Sequence, residues 1–396
     1  MNHLDKRINA LWLCSWYPDK MQPQNGDFIQ RHAQATSLFS NVNVIHVAPT
    51  SPSFMQGQKV LIETTNAENL TENILYYEKK KNTFLHRGKS VLQSFFQYRK
   101  WVKKHFQTNG KPDIVHLNVG WRDGIVALWI KRTYNIPFVL TEHWTFYHEE
   151  GGRRYRNTSF LFRYLTKKIL KEASYILPVS NHLGKVLNDI YPNPHMKTVN
   201  NVVDTHIFHF EERKTNSKFR FLHVSSNHPL KNVGLIVKAF NEIHKAFPET
   251  ELYIVGGEKL EMEQQYGISD GIILTSTLPY NEVAQYMQSS DCFLLFSSSE
   301  NQPCVLLESL CCGLPIISSN VGGIGEIIDS NNGALIVAGD VKQLVSQMSY
   351  MINHNIQYPK YQISKNAASE YSYEKIGSDI NDIYQTVLSD YLPKES

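Results

Sequence analysis

Residues 291–326 read DCFLLFSSSENQPCVLLESLCCGLPIISSNVGGIGE and decide the fold. The first six residues are mostly apolar, which predicts a buried strand. A helix is predicted over Pro303–Cys312, because proline suits the first turn of a helix and Gly313–Pro315 would end it. Glu300 therefore falls between a strand and a helix, and Glu308 falls more than one turn into that helix. Ligands of open parallel sheets bind in the crevice at such junctions, so both carboxylates are candidate binding residues.

Short apolar segments alternate with helical patterns along the chain, which predicts parallel sheets with helices on both faces. The strands predicted in the first half are Ile8–Cys14, Val42–Ala48, Asp113–Leu117, Phe138–Thr141, Tyr175–Val179 and Lys197–Asn200. Those predicted in the second half are Phe219–Ser225, Glu251–Val255, Gly271–Leu274, Cys292–Phe296, Ile316–Ser318 and Ala334–Val337. Helices are predicted between them, including Phe28–Phe39, Val91–His105, Lys231–Phe247 and Asn281–Ser289. The fold class is therefore α/β with two sheets, and 396 residues suffice for two domains with full cores.

The composition is that of an ordinary globular protein. No apolar run approaches the roughly 20 residues that a membrane-spanning helix needs. The apolar stretch Ile8–Cys14 is followed by Trp-Tyr-Pro rather than by small residues, so it predicts a strand and not a signal peptide. The five cysteines show no metal-binding spacing, which favours buried, reduced thiols and a cytoplasmic location.

The net charge of +3 hides a strong asymmetry between the two halves. Residues 1–200 contain 27 Lys and Arg against 14 Asp and Glu, whereas residues 201–396 contain 13 against 23. Two segments of the first half, 79–104 and 153–171, combine basic and aromatic residues. Such segments are typical of surfaces that bind anionic membranes, although a solvated helix face over core aromatics explains them equally well. Charge alone would also permit nucleic-acid binding, but no nucleic-acid-binding module is present, so none is expected.

The 291–326 segment resembles the donor site of the family 4 glycosyltransferases, which have the GT-B fold. The resemblance lies in the E-x7-E pair Glu300 and Glu308, in Gly313-Leu314-Pro315, and in Gly322-Gly323-x-x-Glu326, all in the family's order. It extends over nearly the whole chain and implies two Rossmann-like domains with a cleft between them.

The resemblance also implies how the chain is divided. It implies an acceptor-side domain over residues 1–205 and a linker over 206–218. A domain that binds a nucleotide-sugar donor follows over 219–370, and a helix over 371–396 crosses back to the first domain.

On the donor side, the resemblance assigns the ribose to Glu308 and the hexose, near its reacting carbon, to Glu300. Backbone groups of Asn301, Gln302 and Pro303 would help to hold the sugar hydroxyls. The structural alternative is a Glu300 that only favours a helix terminus and a solvated Glu308. For Glu308 this alternative is weak, because its helix is largely apolar and a carboxylate there needs a partner.

The resemblance assigns the donor diphosphate to Lys231, which matches the family's lysine. The arginine that accompanies this lysine in the family is missing, and Ser225, Ser226 and Asn227 stand near its place. Three alternatives remain for the second positive charge. His228 supplies it, a residue of the other domain supplies it, or the site works with a single cation. The alternative that Lys231 is an ordinary surface lysine is less favoured, because the helix dipole disfavours a cation at a helix start.

Three further positions match family landmarks. Gly26 lies in a long loop after the first strand that would approach the phosphates and the acceptor. His143 follows a strand and would reach the transferred sugar. Gly256, after another strand, would lie near the base, although a plain strand-to-helix turn explains it equally well.

The resemblance implies a metal-independent enzyme that moves a hexose from a nucleotide diphosphate-sugar to an acceptor hydroxyl with retention of configuration. No cofactor is expected beyond this co-substrate, with UDP favoured over GDP. The acceptor would be a saccharide or lipid-linked saccharide in bacterial polysaccharide or glycolipid synthesis, and the enzyme would be cytoplasmic or peripheral on the membrane. No Asp-x-Asp-like metal motif occurs in a plausible donor loop.

Other functions remain open from the sequence. One is a sugar-nucleotide epimerase or hydrolase on the same fold, and another is a non-catalytic nucleotide-sugar-binding subunit. An NAD-dependent enzyme is disfavoured, because no G-x-G-x-x-G follows the first strand.

Overall fold

The computed structural model describes residues 7–78, 86–148, 155–212, 218–267 and 269–391, with backbone only for 86–91 and 356. Parts of both basic-aromatic segments, of the predicted linker and of the C-terminal tail lie outside the described residues. Within these ranges, no helix is both long enough and apolar enough to cross a membrane.

The first domain is built on a seven-stranded sheet. Its strands are β1 (Asn9–Cys14), β2 (Asn41–Thr50), β3 (Val60–Ala67), β4 (Leu70–Glu78), β5 (Ile114–Asn118), β6 (Phe138–Glu142) and β7 (Tyr175–Pro178). They are arranged in the order β3-β4-β2-β1-β5-β6-β7, parallel except for the antiparallel β3–β4 hairpin. Strands β5 and β6 are buried along their whole length, as expected for a parallel sheet covered on both faces.

Helices cover both faces of this sheet and enclose an apolar core on each side. These helices are α1 (Asp27–Ser37), α2 (Pro52–Met55), α3 (His86–Asn109), α4 (Gly124–Tyr134), α5 (Phe160–Glu172) and α6 (Asn181–Ile190).

The second domain has a six-stranded, fully parallel sheet. Its strands are β8 (Phe219–Val224), β9 (Thr250–Val255), β10 (Ile272–Thr275), β11 (Cys292–Leu295), β12 (Ile316–Ser319) and β13 (Gly333–Ile336). The helices of the second half of the chain are α7 (Val233–Ala246), α8 (Lys259–Tyr266), α9 (Tyr280–Gln288), α10 (Cys304–Cys311), α11 (Val341–His354), α12 (Lys360–Tyr371) and α13 (Tyr373–Tyr391). The order β10-β9-β8-β11-β12-β13 is that of a Rossmann domain, with its switch point between β8 and β11. Two doubly wound domains confirm the predicted fold class.

The last helix, α13, belongs to the core of the first domain. It packs along α1, and Ile376, Ile380 and Ile383 lie in the same apolar cluster as β1. The hydroxyl of Tyr384 accepts a hydrogen bond from Trp12 Nε1 at 3.1 Å and lies 2.6 Å from His116 Nδ1. A polar anchor inside an apolar interface fixes the register of this helix.

The structure corrects several predicted elements. The strand predicted over Lys197–Asn200 is wrong: this segment runs beside β7 but makes only one isolated bridge, at Met196. Pro178 has no N–H, so the ladder between the two segments cannot continue. The β3–β4 hairpin and α8 are additions to the predicted elements. The helix predicted from Lys231 starts later, because Lys231 ends a short 3-10 turn and α7 begins at Val233.

Candidate active site

A cleft of about 610 Å³ lies between the two domains, beside the switch point of the second sheet. Loops that follow β8, β9 and β11 form one wall, and α1 with the segment after β6 forms the other. The cleft contains most of the predicted site residues, namely Ser226, Lys231, Gly256, Glu300, Asn301, Gln302, Pro303, Glu308 and His143. Parallel strands direct their carboxyl ends to one edge of a sheet, which brings these distant segments together.

Lys231 and Glu300 meet in the lining of this cleft. Lys231 Nζ donates to Glu300 Oε1 at 2.5 Å, and both side chains are largely buried. Lys231 is held there by the turn that follows β8, and Glu300 by the loop that follows β11. The cation and carboxylate predicted for the diphosphate and the hexose are therefore neighbours.

Glu308 pairs with an arginine of the other domain. Its Oε1 accepts a hydrogen bond from Arg31 Nη1 at 2.7 Å, and the Glu308 side chain is only 3% exposed. Arg31 Nη2 donates to Asp27 at 3.0 Å, and the guanidinium lies 5.2 Å from the centre of the Tyr280 ring. Burial raises the pKa of Glu308, and the Arg31 charge opposes this rise. Glu308 thus has the partner that a buried carboxylate needs, supplied from across the cleft.

Asn301 and Gln302 use their side chains to join the domains. Asn301 Oδ1 accepts from Ser180 Oγ at 2.9 Å, and Asn301 Nδ2 donates to the carbonyl of His143 at 3.1 Å. Gln302 Oε1 accepts from the Asn201 N–H at 2.5 Å, and the Gln302 carbonyl accepts from Asn201 Nδ2 at 2.7 Å. These bonds place the start of α10 against the first domain, so the cleft is built by both.

Two glycines let backbone segments approach closely at this edge. Gly322 has a φ of +56°, and a Cβ there would lie 1.9 Å from the carbonyl oxygen of Glu300. Gly256 has a φ of +105°, and a Cβ there would lie 2.3 Å from the carbonyl oxygen of Ser225. Only glycine fits either position.

His143 follows β6 and reaches the cleft from the first domain. Its ring packs 4.7 Å from the Phe28 ring, centre to centre, and neither ring nitrogen makes a hydrogen bond of standard geometry. Burial lowers the pKa of His143 well below its usual range, the neighbouring His32 and His116 add to this effect, and Asn201 weakly opposes it. His143 is therefore a neutral imidazole that can still accept or donate one hydrogen bond.

Some predicted residues do not line the cleft. Gly26 is the N-cap of α1, where a φ of +75° lets it pack on the backbone of Trp16, so it supports the cleft wall from behind. The Asn227 side chain bonds to Tyr266 at 2.8 Å and to Gln265, outside the cleft. His228 is exposed and caps the turn before Lys231.

Sequence reasoning missed Arg31 and Tyr280. The only local signal for Arg31 was the carboxylate of Asp27, four residues before it on a helix. Its main partner, Glu308, lies 277 positions away in the chain.

Two family models match consecutive parts of the chain. Residues 40–207 match the model described as Glycosyltransferase Family 4, and residues 204–371 match the model described as Glycosyl transferases group 1. Together they cover residues 40–371, which include most of both domains and the wall of the cleft that the second domain supplies. The chain belongs to the family 4 glycosyltransferases. Its GT-B fold and the E-x7-E segment in the cleft agree with this assignment.

Known proteins resemble this family 4 glycosyltransferase along most of its length. Alpha-monoglucosyldiacylglycerol synthase of Streptococcus pneumoniae is 23% identical over 380 residues, covering 86% of this chain and 81% of that protein. Sucrose-phosphate synthase from Thermosynechococcus elongatus has a TM-score of 0.76 at 15% identity, covering 96% of this chain and 100% of that one. HepE of Anabaena, solved in complex with UDP-glucose, has a TM-score of 0.69 at 13% identity, covering 96% and 100%. The two solved structures show that the GT-B fold is shared.

Proposed function

We propose that this glycosyltransferase moves a hexose from a nucleotide diphosphate-sugar to an acceptor hydroxyl, with retention of configuration and without a metal ion. The observation that supports this most is the meeting of Lys231, Glu300 and Glu308 in one cleft between the domains. Lys231 suits the diphosphate of such a donor, Glu300 beside it suits the hexose, and Glu308 in α10 suits the ribose.

Each residue has a distinct part in the proposed reaction. The bond between the hexose carbon and the diphosphate breaks, its electron pair stays with the leaving diphosphate, and Lys231 stabilises that negative charge. The acceptor oxygen bonds to the same carbon on the same face, and the proton of the acceptor hydroxyl passes to an oxygen of the leaving diphosphate. Glu300 positions the hexose hydroxyls, Glu308 holds the ribose, and the neutral His143 contributes a hydrogen bond to the transferred sugar.

UDP is the nucleotide that we favour for the donor. HepE, which shares the fold over nearly the whole chain, is described in complex with UDP-glucose. Thermal shift with UDP-linked and GDP-linked sugars tests the choice, because a ligand that binds only the native state raises the melting temperature. Stabilisation by GDP-sugars and not by UDP-sugars would contradict it.

Transfer assays of single variants test the reaction itself. We expect Lys231→Ala and Glu300→Ala to lower kcat/KM by at least about 100-fold, as removal of one charge-stabilising group typically does. Lys238→Ala, on the exposed side of α7, is the matched control and should transfer at the normal rate. The wild-type rate should persist in EDTA. Normal transfer by folded Lys231→Ala protein would overturn the proposal, as would equal donor consumption with and without acceptor, which indicates an epimerase or hydrolase.

For the acceptor we propose a lipid-linked molecule, reached while the first domain rests on an anionic membrane. Helix α5 begins with Phe160 and Leu161, which are 77% and 62% exposed, and continues with exposed Lys167, Lys168 and Lys171. Apolar side chains next to a row of lysines suit the boundary between headgroups and acyl chains. The similarity to a synthase whose name specifies a diacylglycerol glycolipid supports this acceptor class.

Helix α3 shows the same arrangement. Its exposed Leu92, Phe96, Lys100 and Lys103 follow helical spacing along one face. Helix α4 packs against both α3 and α5, so the three helices form one layer of the first domain. Two basic-aromatic helices of one layer can contact a membrane together.

Vesicle sedimentation tests this surface. Vesicles with about 30% anionic lipid should bind the wild-type protein far better than neutral vesicles. A Phe160→Ser, Leu161→Ser double variant should lose most of the binding, whereas Leu260→Ser, which changes an equally exposed leucine of the second domain, should bind normally. Equal binding by all three proteins would contradict the proposed surface.

A further inference from the structure

Arg31 is a buried cation in the wall of the cleft. It extends from α1 of the first domain toward α10 of the second and lines the same cavity as Lys231. Its two terminal nitrogens bond to Glu308 and Asp27, while its buried Nε has no hydrogen-bond partner. The hydrogen-bonding capacity of this guanidinium is thus only partly used by the protein itself.

In the proposed function, the donor competes for the main partner of Arg31. If the ribose hydroxyls of the donor bond to Glu308, they compete with the Arg31 guanidinium for the same carboxylate. A buried charge that loses its partner is strongly destabilising unless another group of opposite charge replaces that partner. Asp27 remains as one partner, and a second anion supplied by the bound donor would compensate for the weakened pair with Glu308.

The diphosphate is that anion, because it is joined directly to the ribose. Among the described residues, Arg31 and Lys231 are the only lysine or arginine side chains that line the cleft. The diphosphate of a nucleotide-sugar carries two negative charges, and Lys231 balances one of them. Ser226 is neutral, and His228 is exposed and outside the cleft, so neither supplies the second positive charge.

We propose that Arg31 is the second donor-phosphate ligand and that it is supplied from the opposite domain. Glu308 holds Arg31 in the free protein, and in the donor complex the ribose takes Glu308 while the guanidinium turns to phosphate oxygens. A planar guanidinium suits this exchange, since it forms paired hydrogen bonds to carboxylate and phosphate alike. This assignment rests on the proposed nucleotide-sugar donor.

The exchange makes donor binding an interdomain event. The ion pair that joins α1 to α10 is replaced by a pair that joins α1 to the ligand, so the donor itself bridges the two domains. Loss of Arg31 should therefore weaken the binding of ligands that carry a diphosphate and spare the binding of ligands that do not.

The test compares the affinities of UDP and of uridine, with GDP and guanosine in parallel. Removal of the Arg31–Glu308 pair affects the ribose of both ligands equally, so the ratio of Kd for uridine to Kd for UDP isolates the phosphate contact. We expect Arg31→Ala to lower this ratio by about 10-fold or more, which is the size of a charge-assisted hydrogen bond. Arg31→Lys, which keeps the charge and loses the planar fork, should give an intermediate ratio, and His228→Ala should leave it unchanged.

An unchanged ratio of the two Kd values in folded Arg31→Ala and Arg31→Lys proteins would overturn the assignment. Arg31 would then only join the two domains through its ion pair with Glu308. Failure of the wild-type protein to bind any nucleoside diphosphate would instead overturn the proposed function, and this assignment with it. Thermal melts of both variants identify any loss of folding.

Discussion

The position of Glu300 depends on a glycine further along the chain, in the turn after β12. At Gly322 a Cβ would lie 1.9 Å from the Glu300 carbonyl oxygen, and the backbone is in the left-handed region. Gly322→Ala should therefore push the loop that follows β11 out of place. We expect more than about 2 kcal/mol of lost stability in denaturant titrations, together with weaker binding of the donor.

Gly339→Ala is the matched control for this substitution. Gly339 has a φ of +81°, but a Cβ at this position would have no other atom within 4 Å, so only the left-handed backbone opposes the alanine. Its cost should be about 1–2 kcal/mol, with normal donor binding. Equal losses of stability and binding in the two variants would mean that contact with Glu300 is not what requires Gly322.

At this scale the sequence revealed the residues that sit in local patterns. Glu300, Glu308 and Lys231 could be found because each follows a strand or lies in a helix at a characteristic spacing. Arg31 could not be found, because its meaning arises only when α1 faces α10 across the cleft. Asn227 has the right place in a pattern, yet its side chain is bound to Tyr266 outside the cleft.

At the scale of elements, α13 is held to the first domain by the buried hydroxyl of Tyr384. Tyr384→Phe keeps the ring in the core but leaves Trp12 Nε1 and His116 Nδ1 without this partner. Buried polar groups left unpaired cost about 1–3 kcal/mol, and we expect a loss of this size in urea titrations. Tyr391→Phe, which removes an exposed bond to Asn135, should change stability by less than about 0.5 kcal/mol. Similar effects of the two substitutions would contradict the anchoring role.

Most elements could be predicted because parallel strands buried on both faces have nearly continuous apolar sequences. The β3–β4 hairpin escaped prediction for the opposite reason: β3 is mostly exposed, so its sequence has little apolar periodicity. The wrong prediction of a strand at Lys197–Asn200 has a different cause. Its own sequence is compatible with a strand, but its neighbour β7 ends in Pro178, which cannot donate to it.

At the scale of the whole molecule, buried histidines in both domains link stability to pH. Burial lowers the pKa of His32, His148 and His223 to about 4, and it also lowers the pKa of His116 and His143. The unfolded chain takes up protons on these residues near pH ~6.5, whereas the folded protein resists protonation until a lower pH. Stability is therefore complete above about pH 6.5 and is lost as the pH falls toward about 4.

Urea titrations between about pH 7.5 and about pH 5 measure this linkage in a range where exposed carboxylates stay ionised. Burial raises the pKa of Glu142 to about 7, so this one residue contributes in the opposite direction to the histidines. Each buried histidine should contribute up to about 1.4 kcal/mol per pH unit to the fall in unfolding free energy. His223 is buried in the second domain and bonds to the Leu294 carbonyl and Ser225 Oγ, so His223→Gln should reduce the pH slope by the contribution of one histidine. His206→Gln, at an exposed position, should keep the wild-type slope. A wild-type stability that stays constant over this range would show that these histidines are not buried in the neutral form. The cleft would then lack the neutral His143 imidazole that the proposed contact with the transferred sugar needs.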